Sequence, residues 1–298
     1  MSNNIASFDE FDTDQQIEAH QACLVRVILE GKTDVELFSR FWFQSLQETF
    51  LFIEASRLGA GAGCTGVEAA VLHSRTVDRI SAVGIVDKDT LFRSREWARV
   101  FSLPDAEIPA DWDDALIYIT SRWEVEAYLL EPDHLEPWVT VEHKNPPASL
   151  AEAMQALAKT LDACELVLRM APFLASQHEV GKKIKPKFLH DQPEQQILNI
   201  CRDQIEASDV IARTVAGQVQ ALIDTIIASQ PNEGVERLPF LLRYVDTKRL
   251  LFRLAHVLNM RGDPNWVALA QHMKLVGRRP VELEQVLRSV EAAPPMAN

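Results

Sequence analysis

The chain has few cysteines, no long apolar run and no signal-peptide pattern. It holds four cysteines in 298 residues. Their spacing, at Cys23, Cys64, Cys164 and Cys201, matches neither a metal site nor a disulfide framework. No apolar run reaches the roughly 18 residues that a membrane span needs. The first residues are polar and acidic, unlike a signal peptide. We therefore expect a cytoplasmic protein with reduced cysteines and no membrane contact.

Several catalytic patterns are also missing. The eight histidines show no paired ligand spacing, and no Ser-His-Asp arrangement can be assembled from the sequence order. The glycine loop at 59–66, G-A-G-A-G-C-T-G, lacks the G-K-S/T ending of a phosphate-binding loop. We interpret this loop as a plain turn and predict that the chain has no ATPase of its own.

The charge balance lacks the excess of basic residues that nucleic-acid binding usually requires. The formal net charge is −13, so a nucleic-acid substrate needs a local basic surface or a partner protein. Two stretches, 178–190 and 243–261, are locally basic. The first contains the candidate nucleic-acid-binding residues Lys182, Lys183, Lys185 and Lys187. A solvated loop explains such a run of charge equally well.

The sequence does contain carboxylates that directly follow apolar strands. The stretch 22–36, A-C-L-V-R-V-I-L-E-G-K-T-D-V-E, carries Glu30 and Asp34, and the stretch 80–90, I-S-A-V-G-I-V-D-K-D-T, carries Asp87 and Asp89. In a parallel sheet, ligands collect at the carboxyl ends of the strands. Clustered carboxylates repel one another unless a cation lies between them, and oxygen ligands suit Mg²⁺ or Mn²⁺. The pattern predicts a divalent-metal site that acts on phosphates.

The order of strands and helices predicts an α/β fold with a doubly wound parallel sheet, followed by an α-helical region. Pro146-Pro147 and a change of pattern mark the boundary, which gives domains at 1–145 and 146–298. We predict strands at 22–29, 49–55, 80–86 and 115–120. We predict helices at 34–47, 67–77, 123–130, 209–229, 247–260, 264–275 and 280–291, and one more that Ser149 caps.

Three of the acidic residues have competing explanations. Asp34 lies in the first turn of a predicted helix, where an acid is stabilised by the helix dipole whether or not it binds a metal. Glu124 and Glu126 point to different faces of a predicted helix, so we expect only one of them to reach the site. We expect Glu124 to face solvent.

The motifs resemble those of the Toprim domain, which topoisomerases, primases and OLD-type nucleases share. Glu30 at a strand end followed by D-x-D at Asp87-Lys88-Asp89 is the Toprim order. V-I-L-E-G-K-T-D-V-E-L-F is most similar to the OLD-like branch. W-E-V-E-A-Y-L-L-E-P at 123–132 is similar to the signature of a family that includes the AriB nuclease effectors of PARIS phage defence. The resemblance covers roughly residues 20–140.

The resemblance implies a metal-dependent endonuclease that hydrolyses phosphodiester bonds in DNA or RNA. Glu30, Asp34, Asp87, Asp89 and Glu126 would hold one or two Mg²⁺ or Mn²⁺ ions, with Glu30 catalytic. Lys248 stands where OLD-like proteins often carry a lysine that meets the phosphate, although Asp-Thr precedes it here where glycine is commoner.

The same resemblance implies control by an ABC-type ATPase partner in antiviral defence, and we expect the active form to be a homodimer. Two other functions stay open at this point. One is a non-catalytic Toprim-like subunit that binds and regulates a partner, and the other is a small-molecule phosphotransfer enzyme.

Overall fold

The computed structural model describes residues 24–103, 116–262 and 266–292. The chain forms two compact units that alternate along the sequence. Of the described residues, the first unit holds 24–87, 116–120 and 273–292, and the second holds 88–103, 121–262 and 266–272. Cys23, the first two residues of the predicted strand 22–29 and Ala115 at the start of the strand 115–120 lie outside the described residues. The domain boundary near residue 145 stays a prediction.

The first unit is built on a parallel sheet of four strands. These are β1 (Val25–Leu29), β2 (Phe50–Glu54), β3 (Ala82–Val86) and β4 (Ile117–Ile119). Their order is β2-β1-β3-β4, and every neighbouring pair is parallel. All five residues of β3 are buried, as expected for a central strand that is covered on both faces. The sheet and its flanking helices confirm the predicted α/β fold.

Helices cover both faces of this sheet. On one face, α2 (Gly63–Thr76) packs Val67, Ala70 and Val71 against Ile28 and Ile53 of the strands. On the other face, Phe52 contacts an aromatic cluster that includes Phe38 and Phe43. The unit also contains α13 (Val281–Ala292). Because neighbouring strand residues point to opposite faces, Phe52 and Ile53 serve different layers of the core.

The helix predicted at 34–47 differs from the observed structure. It begins earlier, as α1 (Lys32–Glu36), and continues as a π-helix at Leu37–Trp42 and a 3₁₀ turn at Gln44–Leu46. The wider turn is closed by the Phe43 N–H, which donates to the carbonyl of Phe38 at 2.8 Å. The side chains of Phe38, Trp42 and Phe43 are buried, so packing of bulky rings accompanies the departure from regular α-helix.

Gly84 allows α2 to lie close to the centre of the sheet. A Cβ atom at this position would lie 2.5 Å from Cγ1 of Val67 and 2.6 Å from Cδ1 of Ile117. Both distances are far below van der Waals contact, so a larger residue would push the helix or β4 away from β3. This close packing holds the end of β3, and therefore Asp87, in a fixed position.

The second unit is mainly helical. Its long central helix packs against several of the others and buries Leu166, Met170 and Phe173 in a core with Ile197 and Cys201. The helices are α3 (Asp89–Arg93), α4 (Trp97–Val100), α5 (Pro132–Glu142), α6 (Leu150–Met154), α7 (Ala156–Glu179), α8 (Glu194–Glu206), α9 (Val210–Ser229), α10 (Gly234–Leu241) and α11 (Thr247–Val257). Another helix, α12 (Trp266–Leu275), passes from the second unit into the first. The capping box at Ser149 is present, and the predicted helix at 123–130 is a 3₁₀ helix, Val125–Leu129.

One helix is long and apolar enough to cross a membrane by length and composition. This is α9, with 20 residues and a mean hydropathy of 1.3 in its most apolar window, of which 33% is buried. Core helices of globular proteins meet the same criterion. Val215, Val219, Ile223 and Ile226 form its buried side, and α9 packs along α7.

The first unit contains a buried ion pair, between Arg26 in β1 and Asp78 after α2. The Arg26 side chain has no exposed surface, and its Nη1 lies 2.5 Å from Asp78 Oδ2 and 3.0 Å from Ser74 Oγ. We expect Asp78→Ala to lower the free energy of unfolding by about 3 kcal/mol, because the guanidinium would stay buried without its counter-charge.

Urea denaturation measures this effect, and the double variant Arg26→Met with Asp78→Ala is the control. The double variant should regain most of the lost stability, since a methionine fills the space without a charge. Equal destabilisation in the single and double variants would show that Asp78 stabilises the unit by something other than this pairing.

Candidate metal centre

The sheet register brings Glu30 next to Asp87. Leu29, the last residue of β1, pairs with Ile85 of β3, so the chain leaves both strands at the same edge of the sheet. The backbone N–H of Asp87 donates to Oε1 of Glu30 at 2.8 Å. Asp87 is 7% exposed. The structure thus brings the Glu30 carboxylate to the backbone of Asp87 at adjacent strand ends.

Asp89 follows at the first position of α3. Its backbone N–H donates to the carbonyl of Trp123 at 3.1 Å. The intervening Lys88 is buried and places its ammonium 4.9 Å from the centre of the Tyr244 ring. One ligand atom each from Glu30, Asp87 and Asp89 lies within 4.8 Å of the other two. We call these three residues the acidic triad.

The hydrogen bonding of its carboxylate oxygens makes the acidic triad suitable for a divalent cation. Oδ1 of Asp89 is buried and has no hydrogen-bond partner among the described residues, which leaves an acceptor that a cation can satisfy. Burial raises the pKa of the Asp89 carboxyl, and the charges of Arg93 and Lys248 oppose this by lowering it. A cation beside the carboxyl would favour its ionised form further.

Asp34 and Glu126 are not part of the acidic triad. Oδ2 of Asp34 accepts the backbone N–H of Gly31 at 3.0 Å, so Asp34 helps to begin α1 at Lys32, two residues before the predicted start at residue 34. Glu126 lies in the 3₁₀ helix Val125–Leu129 and is half-buried. The metal roles of both residues stay predictions.

Glu124 does not face solvent, and this expectation was wrong. Its side chain is 3% exposed. Its two oxygens accept from Lys248, one from the ammonium at 2.5 Å and one from the backbone N–H at 3.2 Å. Burial raises the pKa of Glu124, while the Lys248 ammonium acts to lower it. Trp123 and Val125, both buried, place Glu124 in the interior, and this flanking pattern was the available sequence signal.

Lys248 is the second residue of α11, a helix that begins where the sequence predicted. The carboxylate of Asp246 caps this helix by accepting the N–H of Arg249 at 3.0 Å. Asp246 therefore has a structural role at the start of this helix. Lys248 is half exposed, and its charge lowers the pKa of Asp89. It thus lies within electrostatic reach of a triad carboxylate.

The basic stretch 243–261 is not a continuous phosphate-binding surface. The Arg249 guanidinium is 8% exposed and donates to the carbonyls of Ile184 and, at 2.7 Å, Lys185. Arg253 donates to the carbonyls of His190 and Gln192 at 2.8 and 2.7 Å. Both arginines hold the neighbouring loop, residues 181–193, in place, because they satisfy its backbone acceptors.

This loop carries the four predicted nucleic-acid-binding lysines, and all four side chains are exposed. Lys182 and Lys183 line a pocket together with Asp89. Lys185 and Lys187 do not line that pocket, and the Lys187 ammonium lies 4.8 Å from the centre of the Phe252 ring. The four lysines therefore fall into two pairs, one that lines the pocket and one that does not. The sequence did not indicate this difference.

Comparison with known proteins gives no assignment. No protein-family model, no curated protein and no solved structure matches this chain.

Proposed function

We propose that the protein is a metal-dependent endonuclease of Toprim type, which hydrolyses phosphodiester bonds in nucleic acid. The observation that carries this proposal is the acidic triad, with ligand atoms of Glu30, Asp87 and Asp89 within 4.8 Å of one another. A buried carboxylate oxygen without a partner, Oδ1 of Asp89, supports it. Mg²⁺ or Mn²⁺ held there would activate a water and stabilise charge on the scissile phosphate.

The residues of the chain have distinct roles in this proposal. Glu30 and Asp87 would hold the cation from the edge of the sheet, and the hydrogen bond from the Asp87 N–H orients the Glu30 carboxylate. Asp89 would add a third ligand. Lys248 offers its ammonium to the phosphate, because half of its side chain is exposed while Glu124 fixes the direction of the rest.

Partners follow from the resemblance and stay proposals. Control by an ABC-type ATPase, a homodimer as the active form and a role in antiviral defence are expected properties of an AriB-like nuclease. An acidic protein with a net charge of −13 can dock on a basic partner surface. Co-purification from the native cell tests this interaction.

The experiment that tests the proposed activity is incubation with plasmid, single-stranded DNA and transfer RNA. We expect cleavage of at least one substrate with Mg²⁺ or Mn²⁺ and none with EDTA, because three carboxylates without a cation cannot stabilise a negatively charged transition state. Restoring the metal after EDTA should restore cleavage. Equal cleavage with and without EDTA, or no cleavage of any substrate, would contradict the proposal.

A further inference from the structure

Beside Asp89 the second unit has a pocket whose lining combines carboxylates, ammonium groups and aromatic rings. Its volume is about 290 Å³, at the small end of ligand pockets. Residues of this unit alone form it. They include Asp89, Phe92, Trp123, His178, Lys182 and Lys183.

The aromatic wall consists of rings that hold one another in place. Phe92 lies 5.4 Å from Trp123 and 5.7 Å from His178, measured between ring centres. Nε2 of His178 lies 3.0 Å from the carbonyl of Arg93, which fixes the ring orientation. Phe92 and His178 are half-buried, so parts of both rings stay accessible from the pocket. Such rings are platforms for nucleobases, which have an aromatic face whatever the sequence.

The positive wall consists of Lys182 and Lys183. Both side chains are exposed, and neither makes an ion pair within the part of the chain that the structure describes. The backbone around them is fixed, because the Lys182 N–H donates to the carbonyl of Gln177 at 2.8 Å and Arg249 binds the carbonyls of residues 184 and 185. Two ammonium groups on an anchored loop suit the phosphates of a nucleic-acid strand.

We propose that this pocket binds one unpaired nucleotide of the substrate strand, next to the phosphate that the acidic triad cleaves. Asp89 belongs to both the pocket and the acidic triad, so a nucleotide in the pocket would lie beside the cation that the triad would hold. The inference rests on the proposed nuclease function and adds a substrate class to it. A base in a duplex is stacked and paired, so it cannot reach such a pocket unless it leaves the helix. Unpaired segments are therefore preferred over duplex.

The test measures binding in EDTA, so that cleavage does not interfere. A labelled single strand of about 12 nucleotides and its duplex are titrated with the protein, and fluorescence anisotropy gives both affinities. We expect the single strand to bind about tenfold more tightly than the duplex. Lys182→Glu with Lys183→Glu should weaken single-strand binding by about tenfold or more.

The loop supplies a matched control. Lys185→Glu with Lys187→Glu changes the net charge equally in the same loop but away from the pocket, so we expect a loss of less than about threefold. A second variant, His178→Gln, keeps a donor for the Arg93 carbonyl but removes the ring. It should weaken single-strand binding by about fivefold and leave duplex binding unchanged. Melting temperatures check that each variant is folded.

Any one of three results would contradict nucleotide binding in this pocket. These are equal losses of single-strand affinity in the two double lysine variants, unchanged single-strand affinity in His178→Gln, or duplex binding as tight as single-strand binding. These results are distinct from failure of the proposed function. Metal-dependent cleavage, together with equal losses of single-strand affinity in the two double lysine variants, would contradict only the proposed role of the pocket. Specific single-strand binding without any cleavage would support nucleotide binding in the pocket and contradict the proposed nuclease activity.

Discussion

Glu30→Gln is expected to lower the cleavage rate by about a thousandfold or more while leaving the fold intact. Loss of one metal-ligating carboxylate removes several kcal/mol of transition-state stabilisation, and about 1.4 kcal/mol corresponds to each factor of ten. The amide oxygen of glutamine can still accept the bond that Glu30 receives from the Asp87 N–H at 2.8 Å. The substitution therefore changes the charge and leaves the local geometry in place.

Thermal unfolding separates this chemistry from a general loss of structure. In EDTA, Glu30→Gln should melt at or slightly above the wild-type temperature, because one repulsive charge is gone from the acidic triad. Added Mn²⁺ should raise the melting temperature of the wild type, since the cation binds the folded state. The variant should show a much smaller rise.

Glu54→Gln is the matched control. Glu54 ends β2 and pairs with Leu29, so it is also a glutamate at a strand end of this sheet, but it does not belong to the acidic triad. We expect wild-type activity and a wild-type response to Mn²⁺. Full activity in Glu30→Gln, or an equal loss of activity in Glu54→Gln, would show that Glu30 has no specific role in cleavage.

Lys248→Met is expected to lower the cleavage rate on the order of a hundredfold, the usual effect of removing one group that stabilises charge in a transition state. The substitution should also lower the free energy of unfolding, because the Glu124 carboxylate is buried and would lose its counter-charge. Glu124 would keep the backbone N–H of residue 248 as its donor. Single-turnover cleavage and urea unfolding measure the two effects.

The pH dependence of stability gives this prediction a second readout. Burial raises the pKa of Glu124 in the folded state, and the Lys248 ammonium opposes the rise. A folded protein that binds this proton more tightly than the unfolded chain loses stability as the pH rises through the folded-state pKa. Lys248→Met should therefore lose more stability than the wild type between about pH 5 and about pH 8.

Glu124→Gln is the companion variant. It keeps one acceptor oxygen for Lys248 but removes the buried charge, so its stability should vary less with pH than that of Lys248→Met. Parallel stability curves for the wild type and Lys248→Met would show that the ammonium does not influence Glu124 in solution.

The sheet and the meeting of Glu30 with Asp87 could be predicted because they depend on local patterns. An apolar strand followed at once by an acid places that acid at the carboxyl end of a parallel strand. The observed strands lie within the predicted ranges, and β1 and β3 are neighbours in the sheet, which brings the acids that follow them together. The start of α11 was predictable for a similar reason, since Asp246 is a good helix cap.

The surroundings of Asp89 could not be predicted because they depend on contacts distant in sequence. Glu124 and Lys248 are 124 residues apart, and no local pattern indicates that a buried carboxylate meets that lysine. Arg249 and Arg253 belong to a locally basic stretch of the sequence, but they donate to loop carbonyls 61 to 65 residues away. The separation of Lys182 and Lys183 from Lys185 and Lys187 follows from that anchoring.

The central claim is that Glu30, Asp87 and Asp89 jointly hold a divalent cation, and anomalous scattering from crystals grown with Mn²⁺ tests it most directly. We predict a manganese peak at about 2.1 to 2.3 Å from a carboxylate oxygen of each residue, and no such peak in crystals of Glu30→Gln. A fully occupied manganese site elsewhere in the chain, with none between these three carboxylates, would contradict the account.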